Sequence, residues 1–187
     1  SFPTRRSSDL SLMNMSQNTY FAMAGNDNRL LLRPPSPDDG AAIYELIKNS
    51  PPLDVNSCYA YLLQGLHFAD TCVLAKDSDN TIAAYISAYI LPNQPNTLFV
   101  WQVAVANAYR GQRLAAQMIQ HLLQRPVCAK VQYIETTVSP SNQSSAHLFK
   151  HLARQLNTEC VVSDLFLPEI FGQGTHEAEQ LFRIGSF

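Results

Sequence analysis

Charged residues are scarce in this chain of 187 residues. Asp, Glu, Lys and Arg together make up 15%, and the formal net charge is −2. This balance provides no basic surface of the kind that nucleic acids or anionic membranes require. No apolar run approaches the length of a membrane span, and the first residues lack the hydrophobic segment of a secretory signal. We therefore expect a cytoplasmic protein whose partners are small molecules, not nucleic acid or membrane.

Cysteine motifs are also missing. The four cysteines are widely spaced and form no Cys-x-x-Cys pair, so the sequence indicates neither a disulfide framework nor a zinc site. Of the five histidines, only His147 and His151 have helical i, i+4 spacing, and the glutamate of a zinc hydrolase does not accompany them. We expect reduced thiols and no metal.

Hydrophobic residues, at 46%, are abundant enough for one domain with a substantial core. Residues 1–28 are rich in Ser, Asn and Arg without a sustained period, which predicts a disordered leader. The first ten residues resemble a translated sequencing adapter, and a native disordered arm is the alternative. Residues 29–187 are expected to form the single domain.

The hydrophobic pattern of residues 29–187 switches between strand and helix periods. It predicts a strand, two helices, three strands, a helix, a strand, a helix and two final strands, in that order. Ser36 and Pro37 give the first helix a cap and a proline at its first position. Residues 54–56 are expected to cap the second helix. The pattern predicts a mixed α and β domain without internal repeats.

The most informative segment is an apolar strand, residues 98–105, that runs through a basic turn into a helix. Strict alternation would place Phe99, Trp101 and Val103 on one face, and both faces are apolar, as in a strand buried within a sheet. Residues 110–115, Arg-Gly-Gln-Arg-Leu-Ala, then open an amphipathic helix. The free N–H groups and the positive dipole at such a helix start bind phosphates.

This strand, turn and helix resemble motif A of the GNAT superfamily of N-acetyltransferases. In that family an Arg/Gln-x-x-Gly-x-Gly/Ala turn holds the pyrophosphate of acetyl-CoA. Arg110 matches the basic start, Ala115 matches the last small residue, and Arg113 stands where a second glycine is usual. The order of elements is also the GNAT order, which implies the α/β (α+β) class with a mixed, mostly antiparallel central sheet flanked by helices. An ordinary basic surface loop is the alternative interpretation of the turn.

Longer strings are similar to the L-2,4-diaminobutyrate acetyltransferases of ectoine biosynthesis. They lie at residues 52–57, 67–72, 96–105, 135–142, 176–179 and 183–185. The resemblance implies an enzyme that moves an acetyl group from acetyl-CoA to the γ-amine of L-2,4-diaminobutyrate, and it implies a homodimer. Two alternatives stay open: a GNAT enzyme for another small diamine or amino acid, and a silent module that binds acyl-CoA without catalysis.

The resemblance also implies the contacts of acetyl-CoA. Backbone groups of Val103 and Val105 are expected to face the pantetheine arm and to leave an N–H near the thioester oxygen. Asn142, at the start of the next helix, is expected to hydrogen-bond the same arm, with helix capping as the alternative. The full set of expected acetyl-CoA contacts is Val103, Val105, Arg110, Gly111, Gln112, Arg113, Leu114, Ala115 and Asn142.

The acceptor side needs acidic groups. An alkyl amine has a pKa near ~10, so the site must take a proton from the amine before it attacks. The candidate catalytic residues are His176, Glu177 and Asp54. The candidate substrate contacts are Asp54, Tyr59, Trp101, His176 and Glu179. Helix capping by Asp54, core packing of the two aromatic residues and a solvated loop at residues 176–179 are the alternatives.

Two further positions bear on proton transfer. Glu135 lies inside a predicted strand and is a second candidate base, with a hydrogen-bonded structural role as the alternative. Phe149 stands where many GNAT enzymes carry a tyrosine that protonates the departing thiolate. We expect the thiolate to leave without that acid, because a thiol has a pKa of only about 8.5.

Overall fold

The computed structural model of the protein describes residues 20–25 and 28–187. Its strands are β1 Tyr20–Ala24, β2 Asn28–Arg33, β3 Val73–Lys76, β4 Ile82–Leu91, β5 Gln94–Val105, β6 Tyr133–Val138, β7 Cys160–Phe166 and β8 Glu179–Gly185. Its helices are α1 Gly40–Lys48, α2 Cys58–His67, α3 Leu114–Leu123 and α4 Gln143–Gln155. All the predicted strands and helices occur in the predicted order, and one further strand precedes them.

That further strand, β1, lies inside the predicted leader. It pairs with β2 in antiparallel register, and Ala22 and Ala24 are buried in the core. Gln117 of α3 also holds it, since the amide side chain exchanges two 3.0 Å hydrogen bonds with the backbone of Met23. The predicted boundary at residue 28 is therefore wrong for residues 20–25 and 28, because long-range pairing orders a segment with little pattern of its own. The rest of the predicted leader lies outside the described residues.

The strands form one sheet in the order β1-β2-β3-β4-β5-β6-β8-β7 within the described part of the chain. Adjacent strands are antiparallel except for β5 and β6, which are parallel. The predicted fold class, a mixed and mostly antiparallel sheet flanked by helices, is confirmed.

Each face of the sheet carries its own core. Apolar residues of α3 and α4, such as Met118 and Leu152, join the larger cluster on one face. Residues of α1 and α2, such as Ile43 and Tyr61, join the smaller cluster on the other. Each large side chain buried in this way contributes roughly 1.5–3 kcal/mol relative to exposure. The helices are thereby fixed on the sheet, and with them the loops at their N-termini.

The parallel strands β5 and β6 separate part-way along their length. Residues 97–100 of β5 pair with residues 133–136 of β6. Beyond this point β5 continues to Val105 beside β4 alone, and β6 continues to Val138 beside β8 alone. A gap therefore opens between the two strands at the end where α3 and α4 begin.

A β-bulge at Trp101 marks the start of this gap. Val100 pairs with Ala88 and Gln102 pairs with Ser87, so Trp101 has no partner on β4. The predicted strict alternation along the strand is wrong beyond Val100, because a bulge inserts one residue and reverses the faces that follow. The bulge leaves Trp101 partly exposed between two buried neighbours.

Candidate active site

The basic turn after β5 leads into the N-terminus of α3. Gly111 has φ +74° and Arg113 has φ +56°, so both residues are in the left-handed region. The N–H of Gln117 bonds to the carbonyl of Arg113 at 3.3 Å, which starts the helical ladder. The N–H groups of residues 114–116 therefore point out of the helix end. Together with the helix dipole they create an anion-binding position.

Two side chains anchor the turn to the sheet. Arg110 donates through Nε to the carbonyl of Val105 at 3.1 Å. Tyr109 donates its hydroxyl to Asp77 at 2.9 Å. The backbone N–H of Thr81, which bonds to the other oxygen of Asp77 at 2.9 Å, is the main cause that holds the pKa of Asp77 below its ordinary value. The turn is thus fixed both to the end of β5 and to the β3–β4 connection.

A cleft of about 280 Å³, here called the donor cleft, lies between this turn, the end of β5 and the start of α4. All nine residues predicted to contact acetyl-CoA line it: Val103, Val105, Arg110, Gly111, Gln112, Arg113, Leu114, Ala115 and Asn142. Residues 50–53, which precede α2, also line it. The structure therefore brings the whole predicted donor set into one place.

Asn142 is also the N-cap of α4. Its side-chain oxygen accepts the N–H of Ser145 at 3.1 Å. The capping role considered from the sequence is therefore present. It does not exclude a ligand contact, because the amide nitrogen is a separate donor.

A second cleft of about 430 Å³, here called the acceptor cleft, adjoins the first. The two share the residues Pro52, Leu53 and Asn142. Five of the predicted acceptor residues line it: Asp54, Trp101, His176, Glu177 and Glu179. The sixth, Tyr59, lies elsewhere, on the outer face of α2 with 66% of its surface exposed.

His176 is the centre of the polar groups in the acceptor cleft. Its Nδ1 lies 2.6 Å from the backbone oxygen of Glu177, and its Nε2 lies 3.2 Å from a carboxylate oxygen of Asp54. Phe171 stacks on the imidazole with a centroid separation of 3.7 Å. Because both ring nitrogens face oxygen acceptors, only the doubly protonated ring satisfies both. These contacts, the Glu177 carbonyl first and Asp54 second, raise the pKa of His176.

The acidic side chains of the acceptor cleft differ in environment. Glu179 is partly buried, and burial is the main reason that its pKa lies above the ordinary value, although a hydrogen bond to Thr137 opposes the shift. Glu177 accepts a hydrogen bond from the hydroxyl of Ser141, which ties its loop to the start of α4. Asp54 keeps 81% of its side chain exposed. A cationic ligand can therefore meet three carboxylates here.

Asp54 is not a helix cap. The N-cap of α2 is Ser57, whose hydroxyl accepts the N–H of Ala60 at 3.2 Å. The prediction that residues 54–56 cap this helix is wrong, because α2 begins only at Cys58. The carboxylate of Asp54 is therefore free to face His176.

The acceptor cleft also contains residues that sequence reasoning missed. They are Asn56, Gln102, Thr137, Ser139, Phe166, Phe171 and Thr175. A polar Gln102 within a buried strand was a signal that could have been used. No local pattern marks Phe166 and Phe171, whose rings meet edge to face at 6.3 Å.

The second candidate base, Glu135, and Phe149 both lie outside the two clefts. Glu135 is buried and forms an ion pair with Arg183 across the β6–β8 pair, which is the structural alternative. Phe149 is buried in the larger core. Glu135 is therefore not positioned to exchange a proton with a ligand in the clefts, and Phe149 has no proton to give.

Within the described residues, no group of three His, Cys, Asp or Glu side chains could hold a metal ion. The four cysteines are free thiols. Over the same part of the chain, no helix is both long and apolar enough to cross a membrane.

A model of the acetyltransferase (GNAT) family matches residues 40–153, more than half of the chain. The protein belongs to this family. It is an acetyltransferase that uses acetyl-CoA.

Within this family, the chain is similar to diaminobutyrate acetyltransferases. The L-2,4-diaminobutyric acid acetyltransferase of Bordetella parapertussis is 44% identical over 174 residues, which cover 93% of this chain and 94% of the relative. The enzyme of the same name from Virgibacillus pantothenticus is 47% identical over 151 residues, which cover 81% of this chain and 94% of the relative. The diaminobutyrate acetyltransferase of Paenibacillus lautus, solved with L-2,4-diaminobutyric acid and coenzyme A, has a TM-score of 0.82 and 42% identity, covering 86% of this chain and 96% of that one. The predicted resemblance to these enzymes is confirmed.

Arg113 offers a test of the donor cleft. A side chain at φ +56° costs roughly 1 kcal/mol relative to glycine. Arg113→Gly should therefore raise the free energy of unfolding of the unliganded protein by up to about 0.5 kcal/mol, because the flexibility of glycine in the unfolded chain offsets about 0.4–1 kcal/mol of the strain relieved. The same change should weaken acetyl-CoA binding about fivefold, the effect of one exposed charge contact. Urea unfolding and calorimetric titration measure the two effects.

Arg113→Gln is the matched control for this experiment, since it removes the charge and keeps the left-handed backbone. Arg113→Gln should weaken acetyl-CoA binding as much as Arg113→Gly does. It should not raise the free energy of unfolding, because the left-handed residue still carries a side chain. Unchanged acetyl-CoA affinity in both variants would show that the guanidinium makes no contact with the phosphates.

Proposed function

We propose that this protein transfers the acetyl group of acetyl-CoA to the γ-amine of L-2,4-diaminobutyrate, giving N-γ-acetyl-diaminobutyrate for ectoine biosynthesis. The observation that carries the proposal is the junction of two unlike clefts. An anion-binding turn lies on one side of Leu53 and Asn142, and a group of carboxylates lies on the other. The Paenibacillus lautus relative was solved with both L-2,4-diaminobutyric acid and coenzyme A.

The donor cleft offers acetyl-CoA an anion-binding turn and a free strand edge. The pyrophosphate would lie on the N–H groups around residues 110–115. From there the pantetheine arm can enter the gap between β5 and β6, where residues 103–105 pair with β4 alone and keep one edge free. A backbone N–H at this edge can stabilise the oxyanion that forms on the thioester.

The acceptor cleft suits a short diamine. The carboxylates of Asp54, Glu177 and Glu179 attract its two ammonium groups, and Trp101 provides an apolar wall for the short carbon chain. A neutral His176 that keeps Nδ1–H on the Glu177 carbonyl has a free lone pair on Nε2. That atom can take the proton of the amine.

Reaction then proceeds by direct attack in a complex of both substrates. The neutral γ-amine forms a C–N bond with the thioester carbon, and the C–S bond breaks as coenzyme A leaves. Before the attack the γ-ammonium gives one proton to Nε2 of His176, and after the attack the nitrogen loses a second proton, which passes through water to the thiolate. No acetyl-enzyme is required, because the acceptor cleft opens directly onto the donor cleft.

Purified protein mixed with acetyl-CoA and diaminobutyrate should release free thiol, and NMR of the product should show acetylation at the γ-nitrogen. Diaminobutyrate should react faster than ornithine, and ornithine faster than lysine, because the Paenibacillus lautus relative was solved with the shortest of these amino acids. A faster reaction with ornithine or lysine would favour the diamine alternative. Binding of acetyl-CoA without thiol release on any amine would favour the silent module.

The raised pKa of His176 predicts the pH dependence. A base must be neutral, so kcat/KM for diaminobutyrate should rise as the pH passes through the titration of His176. Asp54→Asn removes a negative charge that favours the imidazolium and should move this rise to lower pH, in addition to weakening diaminobutyrate binding. Initial rates across pH provide the measurement.

His176→Gln is the reference for this profile and should eliminate the rise. If kcat/KM for diaminobutyrate still rose with pH in His176→Gln, the base would be Glu179, whose pKa is also raised.

We further propose that the protein is a homodimer, formed at the edge strand β7. This strand ends the described sheet, and its side chains after Cys160 are exposed. Large apolar residues continue beyond it to Ile170 and Phe171. An exposed apolar edge strand is a template for pairing, and two copies of β7 can pair about a twofold axis. Because Phe166 and Phe171 also line the acceptor cleft, such pairing would shield its rim.

Val161→Lys tests the dimer, since Val161 is 58% exposed on β7 and its replacement leaves the core of the subunit intact. We expect twice the chain mass for the natural protein in analytical ultracentrifugation and a single chain for the variant, because a charge disrupts an apolar interface. Val127→Lys, at a similarly exposed valine away from β7, should remain dimeric. A natural protein of single-chain mass at micromolar concentration would contradict the proposal.

A further inference from the structure

Gln102 is a buried amide directly after the bulge of β5. Only 5% of its surface is exposed. Its Nε2 donates to the backbone oxygen of Asp54 at 2.7 Å, and its Oε1 accepts the hydroxyl of Tyr61 at 3.1 Å. Asn56 also donates to Oε1, at 3.5 Å. Since a carbonyl oxygen can only accept, the contact with Asp54 fixes which way the amide points.

Tyr61 extends this network to the other end of the same segment. Its hydroxyl accepts the backbone N–H of Asn56 at 3.3 Å, while it donates to Gln102. The ring is fully buried and meets Tyr85 edge to face at 6.5 Å. The two side chains therefore bind a backbone oxygen at residue 54 and a backbone N–H at residue 56.

Residues 54–56 belong to no helix or strand. Their placement therefore depends on side-chain bonds to an extent that a regular element would not require. The carboxylate of Asp54 is mostly exposed and reaches His176 from this segment. Any shift of the segment changes the separation between Asp54 and His176.

We infer that Gln102 and Tyr61 are positioning residues for the acceptor site: they hold the backbone at residues 54–56 so that the carboxylate of Asp54 meets the imidazole of His176. This inference rests on the proposed function for its catalytic consequence. The structural part of the inference does not depend on the proposed function: the contact between Asp54 and His176 depends on the two buried side chains.

The bulge in β5 explains why the side chain of Gln102 can hold the segment of residues 54–56. Trp101 is the bulged residue, so the next side chain, Gln102, turns to the face that carries α2 and Tyr61. The bulge also provides a partner for the backbone of Gln102, whose N–H bonds to the hydroxyl of Ser87 at 3.2 Å. The same irregularity thus sets the wall of the acceptor cleft and the anchor of the Asp54 segment.

Two variants test the inference. Tyr61→Phe removes the hydroxyl and keeps the ring in the core, so Asn56 loses its backbone partner. Gln102→Glu keeps an acceptor for Tyr61 but replaces the donor to Asp54 with a second oxygen, which repels the carbonyl. In both, KM for diaminobutyrate should rise about tenfold, the effect of one lost hydrogen bond in the site, and the dissociation constant of acetyl-CoA should stay within about twofold.

A second readout does not depend on activity. The charged side chains that face His176 are Asp54, Glu177 and Glu179. If Asp54 moves away, the imidazolium loses a favourable partner, and the pKa of His176 measured by NMR in the free protein should fall in both variants. Adding Tyr61→Phe to Asp54→Asn should cause no further fall, because the two changes act through the same contact.

Tyr85→Phe is the matched control, since Tyr85 is equally buried and donates its hydroxyl to Gln64 of the same helix α2, at 2.6 Å. It should alter neither the KM for diaminobutyrate nor the pKa of His176. Equal effects of Tyr85→Phe and Tyr61→Phe, or an unmoved His176 in Tyr61→Phe, would overturn the inference. Failure of thiol release with every amine would overturn the proposed function instead. The pKa of His176 measured by NMR would still decide whether Gln102 and Tyr61 position Asp54.

Discussion

The separation of β5 from β6 is the constraint on which the rest of the site depends. Backbone groups inside a sheet must be paired, and those of β5 beyond Val100 have no partner on β6. A ligand with amide groups of its own can pair with that edge, as the pantetheine arm does in our proposal. Residues of both strands or of the loops that follow them line the two clefts, so in our proposal the arrangement of the strands determines where the two substrates meet.

The distribution of charge matters more here than its sum. A net charge of −2 indicates no partner, yet the two clefts present opposite environments. Arg110 and Arg113 lie with a helix N-terminus on the donor side, and three carboxylates lie on the acceptor side. In the proposed arrangement, opposite local charge directs a polyanionic coenzyme and the ammonium groups of the amino acid to adjacent positions.

The sequence predicts local features of this protein better than long-range ones. The basic turn and α3 follow from neighbouring residues, since glycine and helical periodicity act within a few positions. The bulge at Trp101 depends on the register of a partner strand, and β1 depends on pairing with β2. Phe166 reaches the acceptor cleft only because β7 folds back beside β8. The acceptor residues Asp54 and His176, 122 positions apart, were found through resemblance and not through spacing.

The proton balance of the proposed reaction agrees with a site that contains possible bases but no tyrosine acid at position 149. An ammonium must lose two protons to become an amide, and the departing thiolate needs only one, so the site requires a base more than an acid. Phe149 is buried in the core and supplies no acid, whereas His176 and Glu179 both line the acceptor cleft. Since 30% of the His176 side chain is exposed, the imidazolium can pass its proton to water, which makes the same residue available for the next amine.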